Sequence, residues 1–188
     1  RPDKIANDPF GQPTARAKMH PGHQNPNTVG PSGPVDPGLS LLSVQSTDGR
    51  PVAVFANYSM HYYRSTPIVS ADYFARFAYY LAQQIGANDT NPSFVAAMSQ
   101  GTSGDLQWYD YGRPRNHTSI EAYSESVAQV ATNAYKEIQY HDWVPLAMQE
   151  RTLTLRRRVP DEQRLAWARS IFSGTEGRQP EGMQEIYA

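Results

Sequence analysis

Apolar and polar positions divide the chain into a few short elements. Alternation over Leu39 to Ser46 predicts a strand, and "STDG" at Ser46 to Gly49 places Asp48-Gly49 where a tight hairpin turn needs it. A second strand is expected over Val52 to Tyr58. Its sequence, "VAVFANY", is nearly all apolar, which suits burial on both faces in the middle of a sheet. The period then changes to that of a helix: Phe74, Phe77, Ala78, Leu81 and Ile85 form one stripe over Ala71 to Ile85, with Ser70 as its cap and Gly86 at its stop.

A third strand is predicted over Ser93 to Met98. It leads into "SQGTSGDLQWYDYGRPRNH", after which Thr118 with Glu121 reads as a capping box. The buried side of that helix would carry Ile120, Tyr123, Val127, Val130, Ala134 and Ile138. Alternation of Leu153 and Leu155 with Thr154 and Arg156, inside "VPLAMQERTLTLRRR", predicts a half-buried edge strand or hairpin arm, and a further helix starts near Asp161. An opening hairpin followed by alternating helices and strands argues for an α/β layered domain with a mixed β-sheet flanked by helices. Residues 1–38, with eight prolines and five glycines, show neither period and read as an irregular segment laid over the 39–188 body.

Composition narrows the partners more than the fold. The 17 basic and 18 acidic residues leave a net charge of -1, so there is no basic field for a nucleic acid. With no cysteine, disulfides, thiolate nucleophiles and sulfur-ligated zinc are excluded. No apolar run approaches about 18 residues, and no leader-like N-terminal segment is present. The 188 residues suit one core. Yet the sequence opens at Arg1 without a methionine and closes at Ala188 inside a helix-like stretch, which reads as an excerpt of an incomplete domain. Tyrosine dominates the aromatics, 12 against 6 Phe and 3 Trp.

Candidate chemistry falls at the ends of the second and third strands, in "SMHYYRSTPIVSAD" and "SQGTSGDLQWYDYG". His61 follows an apolar strand directly; an imidazole there can ligate a metal, act as a base or cap the sheet, and spacing alone favours the last. Small residues at Gly101, Ser103, Gly104 and Asp105 allow backbone N–H groups to converge on an anion, with Ser103 as a candidate nucleophile or all of them as a plain turn. Asp72 needs nothing beyond the helix N-terminus to explain it. His20, His23, His117 and His141 read as surface residues. The arginines at 151 and 156–158 read as a solvated strand edge. Asn57, Asn88 and Asn116 each begin an N-x-S/T triplet, the first within a predicted strand.

The ordered segments "GPVDPGLSLLSVQSTDGRPVAVFANYSMHYY", "VSADYFARFAYYLAQ" and "FVAAMSQGTSGDLQ" resemble the central part of the catalytic domain of neutral/alkaline, non-lysosomal ceramidases and their bacterial relatives. The resemblance runs over nearly the whole chain and makes residues 1–188 part of a ceramidase-like catalytic domain. It implies a zinc-dependent, secreted or periplasmic amide hydrolase acting on N-acyl sphingoid lipids, with transient contact to a membrane surface. It further implies that His61 is a zinc ligand, that Arg1 corresponds to the family's substrate-orienting arginine, and that the other ligands belong to remaining parts of the same domain. In place of the family's "G-D-V-S-P-N" loop stand Gly104, Asp105, Leu106, Gln107, Trp108 and Tyr109. Gln107 occupies the serine position, and an amide is no nucleophile. The resemblance then leaves four outcomes: attack by zinc-bound water, recruitment of Ser103, a non-catalytic lipid- or carbohydrate-binding relative using Trp108, Tyr109 and Tyr111, or a purely structural domain.

Overall fold

A computed structural model describes residues 2–8, 12–63, 66–157, 159–175 and 177–187. They form two compact units, one of residues 21–145 and one combining 1–20 with 146–188.

The first unit has the α/β architecture read from the sequence. Strands β1 (Leu39–Gln45) and β2 (Pro51–Tyr58) pair antiparallel, and β3 (Val95–Gln100) pairs parallel to β2, so the sheet is mixed, in the order β1-β2-β3. The hairpin turn closes as the Asp48-Gly49 signal requires: Gly49 sits at φ 85°, its N–H donates to the Ser46 carbonyl at 2.9 Å, and Ser46 N–H donates to the Arg50 carbonyl at 2.9 Å. Helix α1 (Asp72–Gln84) crosses from β2 to β3. Gly86, at φ 70°, donates to Gln83 O at 3.2 Å, and Ala87 donates to Ala82 O at 2.8 Å, which together terminate the helix in a Schellman motif.

Helix α2 (Ile120–Lys136) lies on the same face of the sheet as α1. Val54 and Ala56 of β2, Phe77 and Leu81 of α1, and Val127, Ala128 and Ala131 of α2 make the core. The buried face of α2 is narrower in side chain than expected. Ser124, Ala128, Ala131 and Thr132 are buried, whereas Val130 is exposed. Small residues let α2 approach closely, and the Thr132 hydroxyl donates to Gln84 Oε1 of α1 at 2.8 Å. The cap is Ser119 rather than Thr118: its Oγ accepts the Ala122 N–H at 3.1 Å. Ile138 falls beyond the helix.

Two strand expectations change. The third strand begins and ends two residues later than the apolar pattern suggested, because its register follows β2 as far as Tyr58↔Gln100. Strand β2 is central but not buried on both faces. Both helices cover the Val54/Ala56 face, and on the other Phe55 is 48% and Leu42 64% exposed, alongside Val44 and Val95.

In the second unit, a short 3-10 turn (Pro2–Lys4) and a lone bridge between Ala6 and Ala15 are the regular features among the described residues of 1–20. Residues 144–157 form no strand, and Leu153 and Leu155 are exposed. Alternation marks a face but supplies no partner, and a strand exists only through its ladder. Helix α3 (Glu162–Phe172) starts where expected, with the Asp161 carboxylate accepting the Arg164 N–H at 2.8 Å. Helix α4 (Gly182–Tyr187) is tied by Arg178, whose guanidinium meets both carboxylate oxygens of Glu185 at 2.8 and 2.6 Å. That fork, with the Glu181 N–H, holds the Glu185 carboxyl down at about 2. Among the described residues no helix is long and apolar enough to cross a membrane.

Candidate functional site

Parallel pairing of β2 with β3 sends both chains out at one edge of the sheet, the place where open α/β sheets hold ligands. The two loops that follow are laced together. Gly101 N–H donates to Tyr58 O at 2.9 Å, and His61 N–H donates to Leu106 O at 3.0 Å. The Gln100 side-chain amide donates to Met60 O at 3.3 Å. Buried Ser59 donates to the Asp36 carboxylate at 3.3 Å, with Thr102 Oγ1 at 3.5 Å. A side chain on Gly101 would be crowded at this crossing. A Cβ there would collide with Ser59 Oγ and come within 3.2 Å of Asn57 Oδ1 and 3.3 Å of Ser59 Cα. Thus the two segments singled out in the sequence are neighbours in space.

His61 is half-buried beside the Leu106 carbonyl, with its ring 4.2 Å from that of Tyr62. Its Nδ1 lies 3.3 Å from the Tyr62 carbonyl oxygen. A carbonyl only accepts, so Nδ1 is the donor in this contact, and Nε2 is the nitrogen that would ligate a metal.

The surrounding loop is anchored from below. Tyr63 N–H and Tyr73 N–H both donate to Asp72 Oδ1, at 2.8 and 2.7 Å, and Thr66 donates to Oδ2 at 3.4 Å. The Tyr73 hydroxyl donates to Met60 O at 3.3 Å, and the Tyr63 hydroxyl to Thr118 O. Asp72 is 7% exposed and has φ 51°. That left-handed conformation costs on the order of 1–2 kcal/mol, and two short bonds to a buried carboxylate oxygen offset it. Burial pushes the phenols of Tyr73 and Tyr123, which face each other in this cluster, well above the usual tyrosine range.

The Leu106 carbonyl that accepts the His61 N–H lies between two of the other sequence candidates, Asp105 and Gln107. Ser103 and Gln107 are half-buried and Asp105 is exposed. Among the described residues none of the three hydrogen-bonds to a histidine, so no nucleophile–base pair is present. Gly101 cannot join an anion-binding set, because its N–H is held by Tyr58 O. Arg1 and Arg158 lie outside the described residues. Among the described residues no three His, Cys, Asp or Glu side chains come together to hold a metal ion. A catalytic zinc needs about three protein ligands. His61 offers one nitrogen, so the described residues do not by themselves fit zinc.

Sequence reasoning missed the surroundings of His23. Expected at the surface, it is half-buried between Tyr109 and Tyr111, at ring separations of 5.6 and 5.1 Å. Its Nδ1 donates to the carbonyls of Asp110 and Arg113 at 3.1 and 3.0 Å. His20, His117 and His141 are exposed, as expected. A continuous row of rings joins Tyr111 to Tyr109 (5.7 Å), Tyr109 to Trp108 (3.9 Å), Trp108 to Tyr63 (4.6 Å) and Tyr63 to Tyr123 (5.5 Å). Trp108, Tyr109 and Tyr111 were legible in the sequence as one aromatic loop, but they are half-buried, and their continuation to Tyr63 and Tyr123 was not legible. Asn57, in its N-x-S triplet, lies in β2 and donates through its amide to Ser99 Oγ at 2.7 Å. No protein-family model, curated protein or solved structure matches this chain.

Proposed function

We propose that this chain supplies one wall of a zinc-dependent amide hydrolase site resembling that of the neutral ceramidases, acting on N-acyl sphingoid lipids or related N-acyl substrates. The observation that carries the reading is the placement of His61. It follows the C-terminal end of the central strand, with its backbone N–H on Leu106 O and its Nδ1 on Tyr62 O, so that Nε2 is the nitrogen that would meet a ligand. In this reading the further ligands come from outside these 188 residues. The test is zinc content of the full-length polypeptide and of its His61→Ala variant, together with turnover of N-acyl lipids against simple esters and N-acyl amino acids. Stoichiometric zinc lost on replacement, with N-acyl lipid cleavage, is the expected result; a metal-free parent overturns the proposal.

A second reading, a non-catalytic lipid- or carbohydrate-binding relative, is favoured by the ring row from Tyr63 to Tyr111 and by Gln107 at the position of the family's serine. Aromatic faces provide apolar area and polar edges for such ligands. Saturable ligand binding lost in Trp108→Ala, by a protein that turns over none of these substrates, selects it.

A further inference from the structure

We propose that Trp108 and Tyr109 form a one-electron relay, which draws an oxidising hole away from the buried cluster of Met60, Tyr63 and Tyr73 and delivers it to solvent. The relay needs no metal and stands apart from any role of His61. Trp108 packs against that cluster and touches two phenols. Its ring is 4.6 Å from Tyr63, stacked at 20°, and 3.9 Å from Tyr109, tilted at 31°. At such contact an electron passes between rings without an intermediate carrier. An indolyl radical beside a phenol is repaired by it: the indole regains an electron and a proton, and a phenoxyl radical is left.

Which phenol responds is set by protons, because a tyrosine that loses an electron must also release its hydroxyl hydrogen. Tyr63 is 5% exposed, and its hydroxyl is held on the Thr118 carbonyl, which accepts a hydrogen bond but is no base. Beyond it, the Tyr123 hydroxyl meets that of Tyr58 at 3.4 Å. Burial pushes both phenols up, so the inward direction offers no outlet for a proton. The outward direction does. Among the described residues every buried polar atom of an unexposed side chain has a hydrogen-bond partner. Tyr109 Oη and Trp108 Nε1 have none there, and both residues are half-buried, so these two atoms reach water. A one-electron oxidant, the class of the azide radical, therefore takes an electron from the indole while the Nε1 proton passes to water. Tyr109 then gives an electron to the indolyl radical and its hydroxyl proton to water, and Nε1 takes a proton back. A soluble donor such as ascorbate supplies the electron and proton that restore the phenol.

Pulse radiolysis with azide radical tests the relay. Trp143 is 77% exposed and would intercept the oxidant, so the measurement uses Trp143→Phe with Trp167→Phe, which leaves Trp108 alone of the three tryptophans. Indolyl absorbance is expected to decay in a first-order phase whose rate does not depend on protein concentration, with phenoxyl absorbance growing in step and ascorbate removing it. Tyr109→Phe keeps the ring in place and is expected to lose this phase, while Tyr63→Phe retains it; unfolding midpoints close to the parent show that the loss is chemical. Phenoxyl growth at the parent rate in Tyr109→Phe overturns the proposal. So does loss of the phase in Tyr63→Phe, which would run the hole inward, or a rate that rises with protein concentration, which would place the transfer between molecules.

Discussion

The two glycines that flank the candidate nucleophile Ser103, Gly101 and Gly104, behave oppositely, and the difference is a matter of single atoms. Gly101 crosses Ser59 with no room for a methyl group, whereas a Cβ on Gly104 would meet nothing within 4 Å. Gly101→Ala is therefore expected to destabilise the protein by about 1–3 kcal/mol, as overpacking does, and Gly104→Ala to change stability by less than about 0.5 kcal/mol, as for an unencumbered surface site. Denaturant midpoints of the two variants check this; equal effects would contradict the crossing. The sequence showed both glycines in one loop and suggested one role for both. Only the parallel register of β2 and β3 separates them, since it decides which one passes under Ser59.

At the scale of elements, the legible signals were those that one residue type decides by local chemistry. The Gly86 stop, the Asp48-Gly49 turn and the Asp161 cap stand where local chemistry put them. Thr118 and Ser119 are both capping residues by type, and the choice between them falls to the docking of α2. The Tyr63 hydroxyl takes the Thr118 carbonyl, and Ser119, extended at ψ 160°, turns its Oγ onto Ala122 N–H. Ser119→Ala should cost about 1 kcal/mol, and Thr118→Ala much less, by thermal or denaturant unfolding; the reverse order would restore the capping box read from the sequence. The failed strand at 144–157 has the same origin. Its alternation is real, but pairing is a property of two segments, and the described structure gives this one no partner.

Across the larger unit, tyrosines link the loops to the helices. Tyr63, Tyr73 and Tyr123 meet between the end of β2, the start of α1 and the first turns of α2. Burial is the first cause of their raised phenol pKa values, and for Tyr123 the Tyr58 hydroxyl adds to it. The native state thus binds these protons more tightly than the unfolded chain. Their contribution to stability is complete below the ordinary phenol value of 10.0 and drains away as pH rises above it. Unfolding by circular dichroism above pH 10 should therefore coincide with a cooperative rise in phenolate absorbance. Full ionisation of every tyrosine near 10.0 with the fold intact would show that the cluster is not buried as described.

The amino-acid sequence by itself determined the hairpin, the third strand, the helices in kind, the Gly86 stop and the α/β class, because periodicity, turn chemistry and capping act over a few neighbouring residues. The absence of cysteine also rules out disulfides and thiolate ligands from these residues. Tertiary structure decided which residues meet. It set His61 beside Leu106, bent Asp72 under Tyr63, placed His23 against Tyr109 and Tyr111, and opened one face of a strand that reads as buried on both. These are contacts between segments up to about 90 residues apart. Pattern along a chain cannot specify them, since burial and hydrogen bonding are shared between partners that only the packed sheet and helices bring together.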